Sequence, residues 1–208
     1  MKMLLVCAQS IRDPNSSKSN VELFSSRLRI YIRMIQKDAS VCKEIESGCF
    51  VPLLQVMRWK WGNPTTDELE TVMTDHLSKL SERLLKLLLK QRAPGICEDS
   101  LPRDPEAYII PPPSIFGLLI KDAVAAIVAY EPLSARDKFR VVAYLHFSSQ
   151  THEAWNCLAL AIVAVHCRNN MVKIREALQT AGLYKPVIKR DEDYEGDLPS
   201  ERDLRRFP

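Results

Sequence analysis

The sequence predicts an all-α protein, a multi-helix bundle or short α-solenoid of about seven helices. Three observations carry this expectation. Apolar residues recur at helical spacing in several separate segments. Glycine is scarce, with six against thirteen prolines in 208 residues, which argues against a hairpin-rich β protein and against a glycine-lined phosphate cradle. Two distant segments also match, one from Ser40 to Leu54 and one from Asn170 to Ile188. Each reads as a short amphipathic helix, a glycine stop at Gly48 or Gly182, and an apolar segment with a proline near its start.

Taken in order, residues 11–20 are polar and turn-like. Ser19 and Glu22 then form a capping box that opens a helix carrying Val21, Phe24, Leu28, Tyr31, Ile32 and Ile35 at helical spacing. A short helix over about 40–47 stops at Gly48, and an apolar segment follows from Val51 to Met57. Thr65 and Glu68 make a second capping box after Gly62-Asn63-Pro64. The helix beyond it, about 66–91, carries Leu69, Met73, Leu77, Leu80, Leu84 and Leu87, a coiled-coil seam or a core face. Leu85, Leu88 and Leu89 widen the stripe and favour the core face.

Residues 1–93 are thus expected to form an N-terminal helical layer. Prolines at 94, 102, 105 and 111–113 make 94–113 a proline-rich linker, which either joins two subdomains or lies as a strap across one domain. Residues 114–184 should be the C-terminal helical core. Within it, Ile115 to Tyr130 is apolar nearly all round and reads as a central buried helix with Ser114 as its N-cap. Further helices are expected from Ser134 to Phe147, from Ser149 or Thr151 to Cys167, and from Asn169 or Asn170 to Gly182. Residues 185–208 are charged, poor in apolar side chains, and expected to be a disordered tail.

A net charge of +3 is too small to imply nucleic acid by itself. The six cysteines contain no C-x-x-C pair, and in a chain with 46% hydrophobic residues they read as reduced, mostly buried thiols. The chain is therefore expected to be intracellular, cytoplasmic or nuclear. The most apolar run, Ser114 to Tyr130, is interrupted by Lys121-Asp122 and falls short of a membrane span. The first residues have too short an apolar core for a signal peptide.

Ala154-Trp155-Asn156-Cys157-Leu158-Ala159-Leu160-Ala161, then Asn169-Asn170, then Ile174-Arg175-Glu176-Ala177, resembles an armadillo/HEAT-like helical repeat. Ile45, Gly48 and Val51-Pro52-Leu53-Leu54 look like the same junction, about three of the family's repeat lengths earlier. The resemblance implies a stacked-helix fold and binding along a groove. It carries over no catalytic residue.

The candidate chemistry is sparse. His146, His152, Cys157, His166 and Cys167 lack metal-ligand spacing, and on a helix several of them diverge. There is no HExxH, G-x-S-x-G or P-loop pattern. The expectation is a non-enzyme with no cofactor and no metal. Arg58-Trp59-Lys60-Trp61 interleaves aromatic rings with cations, and Arg27, Arg29 and Arg33 extend the patch if the first helix lies alongside. These seven residues are the expected partner-binding surface. The bland alternative packs one tryptophan under the chain and leaves the cations solvated.

The expected function is a helical adaptor or scaffold that binds proteins within a larger assembly. The alternative is a nucleic-acid-binding helical protein, viral or chromatin-associated, using the same patch. The sequence also admits a homo-oligomer.

Overall fold

A computed structural model describes residues 20–58, 65–90, 101–121, 124–134, 138–147 and 152–184. Among them four α-helices and a four-stranded sheet replace the expected all-α bundle. In chain order these are α1 (Asn20–Asp38), α2 (Cys42–Glu46), β1 (Leu54–Arg58), α3 (Thr66–Leu88), β2 (Ile115–Lys121), β3 (Val124–Tyr130), β4 (Phe139–His146) and α4 (Glu153–Thr180). The strands lie side by side in the order β1-β2-β3-β4. β1 is parallel to β2, and α3 supplies the crossover that a parallel pair requires. β2, β3 and β4 form an antiparallel meander.

Several expectations fail together. The buried helix over 115–130 is two strands paired from Ile115↔Tyr130 to Lys121↔Val124. An apolar run buried on both faces lacks the alternation that marks a half-exposed strand, so its periodicity cannot separate it from a buried helix. Lys121, where charge interrupts the apolar run, is the last residue of β2 and pairs with Val124, the first of β3. The helix expected after Ser134 is β4, and its Phe139, Val141, Val142 and Tyr144 are strand formers. The segment after Gly48 is β1. Ser114 caps no helix; its hydroxyl donates to Glu131 Oε1 at 2.8 Å. The armadillo/HEAT-like resemblance falls with these elements, because a mixed sheet occupies the place of the stacked helices. Its asparagine turn at 169–170 lies inside the unbroken α4.

Other local signals form as expected. Thr65 Oγ1 accepts from the Glu68 amide and a Glu68 carboxylate accepts from the Thr65 amide. Gly48 and Gly182 both have positive φ, 77° and 68°, at the ends of α2 and α4. The α3 stripe is a core face: Met73, Leu77, Leu84 and Leu88 are fully buried.

The helices cover both faces of the sheet. Gly117 on β2 faces α3, where an added Cβ would meet Met73 and Leu77. Its neighbour Phe116 points to the opposite face, as alternation along a strand requires, and meets the His166 ring of α4 edge-on with centroids 5.7 Å apart. α1 packs against β1, β2 and α4 on that same face. Residues 101–113 run past the end of α3: Tyr108 bridges to Leu89, is buried, and donates its hydroxyl to the Pro102 carbonyl at 2.6 Å.

Candidate functional site

The predicted site comes only partly into view. Trp59, Lys60 and Trp61 lie outside the described residues, as does the Arg27 side chain and the tail expected over 185–208. Arg58 ends β1 and is half-buried, whereas Arg29 and Arg33 are exposed on α1. Arg33 is engaged by Glu46 of α2, so part of its charge is already matched within the chain.

The histidine and cysteine group does not converge. His146, His152 and His166 are exposed, and Cys157 and Cys167 are buried. The Cys167 thiol donates to the Leu53 carbonyl at 3.5 Å, and burial pushes its pKa up to about 12. Burial is also the main cause that raises the Cys42 thiol. Both are therefore thiols, not thiolates, at neutral pH. Among the described residues no three of His, Cys, Asp and Glu gather as metal ligands would.

The feature that sequence reasoning missed is on α4. Its buried stripe is Cys157, Leu160, Ala164, Cys167, Met171, Ile174 and Leu178, which faces the sheet and α1. A second apolar stripe, Trp155, Leu158, Ile162 and Val165, has the same alternating spacing of three and four. It lies about 180° around the axis at 3.6 residues per turn, so it points away from the sheet. These side chains are 70%, 38%, 60% and 52% exposed. Residues 154–167 contain no Asp, Glu, Lys or Arg.

α1 extends this surface. α4 starts at the C-terminal end of β4, where Asn156 Nδ2 donates to the His146 carbonyl at 2.8 Å. It reaches the beginning of β1 at Leu53. Arg168 Nε donates to Asp38 Oδ2 at 2.7 Å, and Arg175 donates to the Ala39 carbonyl at 2.8 Å. The C-terminal end of α1 is thus pinned where α4 passes β1. α1 also packs against β1 and β2, so the two helices lie side by side on one face of the sheet. Leu28 and Ile32 are the buried side of α1, and Ile30 and Met34, about 200° away in the helical wheel, are exposed on its outer side.

The C-terminal end of α4 is held down separately. Tyr184 donates its hydroxyl to the buried Glu44 carboxylate at 2.8 Å, and desolvation together with this bond pushes its pKa up to about 12. A smaller apolar patch lies on the edge strand β4, where Val141, Val142 and Tyr144 are exposed. Val142 is the unmatched residue of a bulge, since Ile127 pairs with Ala143 and Val128 with Val141. Bulges of this kind blunt edge pairing.

By length and composition alone, Ala154–Thr180 is apolar enough to cross a membrane. One of its faces is packed against the sheet, however, and its second half carries Arg168, Lys173, Arg175 and Glu176. Comparison with protein-family models, with curated proteins and with solved structures finds no match.

Proposed function

We propose that this chain is a non-enzymatic adaptor or scaffold that binds protein, and that it does so through the outer face of the α1/α4 layer. The observation that carries the reading is the exposed stripe Trp155, Leu158, Ile162 and Val165, continued by Ile30 and Met34. Contiguous apolar patches beyond a few hundred Å² are uncommon on monomeric soluble proteins and mark interaction surfaces. Tryptophan at one end supplies the kind of large anchor that dominates interface energetics. Arg29 and Arg33 of α1 border this face and serve as its rim in this reading, while Trp59, Lys60 and Trp61 lie outside the described residues.

The test is capture from cell lysate at low and high salt, with and without nuclease. Wild type is compared with Ile162→Glu and Trp155→Ser. Both positions are mostly exposed, so neither change should disturb the fold. Proteins retained at high salt and after nuclease, and lost with both variants, are the expected result. Capture that disappears with salt or nuclease and ignores the variants would replace this reading with nucleic-acid binding, since phosphate contacts weaken steeply with salt.

A further inference from the structure

We propose that the partner on this face is a second copy of the same chain, with the two α4 helices packed antiparallel about a two-fold axis level with Leu160. The inference rests on the docking reading above and gives that surface one occupant.

The register of the stripe is self-complementary. Placed antiparallel about position 160, Trp155 falls opposite Val165 of the second copy, and Leu158 falls opposite Ile162. All four apolar side chains are then matched, with the largest against the smallest. This is the isologous arrangement in which one patch meets itself. It is also the layer geometry of an antiparallel helix pair, whose seam needs alternating spacings of three and four. A parallel pairing would instead set Trp155 against Trp155.

Charge permits the approach. No Asp, Glu, Lys or Arg lies between Ala154 and Cys167, so no like charges meet along the seam. Because α1 runs beside α4, the same two-fold lays α1 over α1 of the second copy. This brings Ile30 and Met34 to the edge of the contact, where Glu46 matches Arg33 but the exposed Arg29 and Lys37 of the two copies also approach, so α1 adds apolar area at a cost in like charge.

The area suits a weak association. The four α4 side chains present roughly 400 Å² per copy and Ile30 and Met34 raise this to at most about 600 Å², so a face-to-face pair would bury between about 800 and 1,200 Å² in total, at or below the lower end of the range for stable interfaces. That places the association at the weak or exchanging end, where it depends on protein concentration.

The test is sedimentation velocity and light scattering on the full chain over a hundredfold concentration range. Wild type should approach twice the 23.7 kDa chain mass as concentration rises. Leu158→Glu and Ile162→Lys should each remain at the single-chain mass. In the antiparallel register the carboxylate introduced by Leu158→Glu on one chain faces the ammonium introduced by Ile162→Lys on the other. An equimolar mixture of the two variants should therefore regain the doubled mass. A wild-type chain of single mass throughout overturns the proposal, as does a doubled mass that neither variant changes or that the mixture fails to restore. The lysate experiment separates the two readings. A monomer whose captured partners vanish with Ile162→Glu overturns self-association and leaves docking in place. A monomer whose partners ignore that change removes both. A monomer that pellets with phosphatidylcholine vesicles overturns self-association in favour of a lipid surface.

Discussion

The two long helices on opposite faces of the sheet solve their burial problem differently. α3 has one apolar face, turned to the sheet through Met73, Leu77 and Leu84. Its outer face is charged, with acidic residues in the first turn and the ion pairs Asp75–Lys79 and Glu82–Lys86 at i,i+4 spacing. Apart from Val72, its large apolar side chains are covered or half-covered. The first half of α4 has apolar stripes on two opposite faces, and the fold covers only one. α3 therefore looks finished as part of a monomer, whereas α4 does not. The physical chemistry of water treats both stripes of α4 alike, so the uncovered one is the part of the molecule that folding leaves unsatisfied.

The comparison is sharpened most by two isoleucines on α4. Ile174 is fully buried, and Ile174→Ala should cost about 2–5 kcal/mol through lost transfer energy and a residual cavity. The measurement is the urea midpoint of the full chain with the m-value held constant. A loss below about 1 kcal/mol would mean that this end of α4 is not packed as described. The next largest effect lies on the α3 side. A Cβ at Gly117 would meet Met73 Cε and come within 2.9 Å of Val128 Cγ2. The methionine tip can move, but the valine on the adjacent strand has less freedom. Gly117→Ala should therefore destabilise by about 1–3 kcal/mol through overpacking, read from the same midpoint.

These positions show why parts of the fold were legible and parts were not. The α3 helix could be read because its start is written in side-chain chemistry, Thr65 with Glu68, and its apolar stripe has one period. The strands β2 and β3 could not be read, because burial on both faces erases the alternation that would mark them. Three hints were nevertheless present: the β-branched residues Ile115, Ile120, Val124, Ile127 and Val128, the extended entry through Pro111–Pro113, and the charged break at Lys121-Asp122. The exposed stripe of α4 was not legible for a related reason. An apolar segment without charge from 154 to 167 reads as a core helix, and only the position of the sheet reveals which of its two stripes is covered. The two stripes are nevertheless separable in the sequence, since each keeps its own alternating spacing of three and four.

A third prediction tests what holds the end of α4. Tyr184→Phe removes the donor to the buried Glu44 carboxylate and should cost about 1–3 kcal/mol, because the acceptor stays buried. It also has a pH signature. The Tyr184 hydroxyl titrates near 10 in an unfolded chain and near 12 when folded. Its contribution is fully present below pH 10 and is lost as pH rises towards 12, since there the unfolded chain has released the proton and the folded chain retains it. Cys167, raised from 9 to about 12, acts in the same direction from pH 9 upward. Stability should therefore fall on the alkaline side, and Tyr184→Phe should flatten the part of that slope between pH 10 and 12. An unchanged slope in the variant would show that Tyr184 is not sequestered against Glu44.

The smallest expected effect is the most telling. Ile162→Ala changes the same residue type on the same helix as Ile174→Ala, but on the face that the monomer leaves 60% exposed. At concentrations where the chain is monomeric, its unfolding midpoint should move by no more than about 0.5 kcal/mol, the ordinary range for a surface change. Alanine's higher helix propensity should offset part of any loss. At high concentration the wild type and the variant should separate. A folded state that self-associates is stabilised by mass action, so the wild-type melting temperature should climb with concentration. The Ile162→Ala midpoint should climb less, because it removes apolar area from the centre of the seam, opposite Leu158. Two parallel, concentration-independent melting curves would mean that the second stripe of α4 has no partner in another copy, and the contrast with α3 would then have to be explained by a different protein surface.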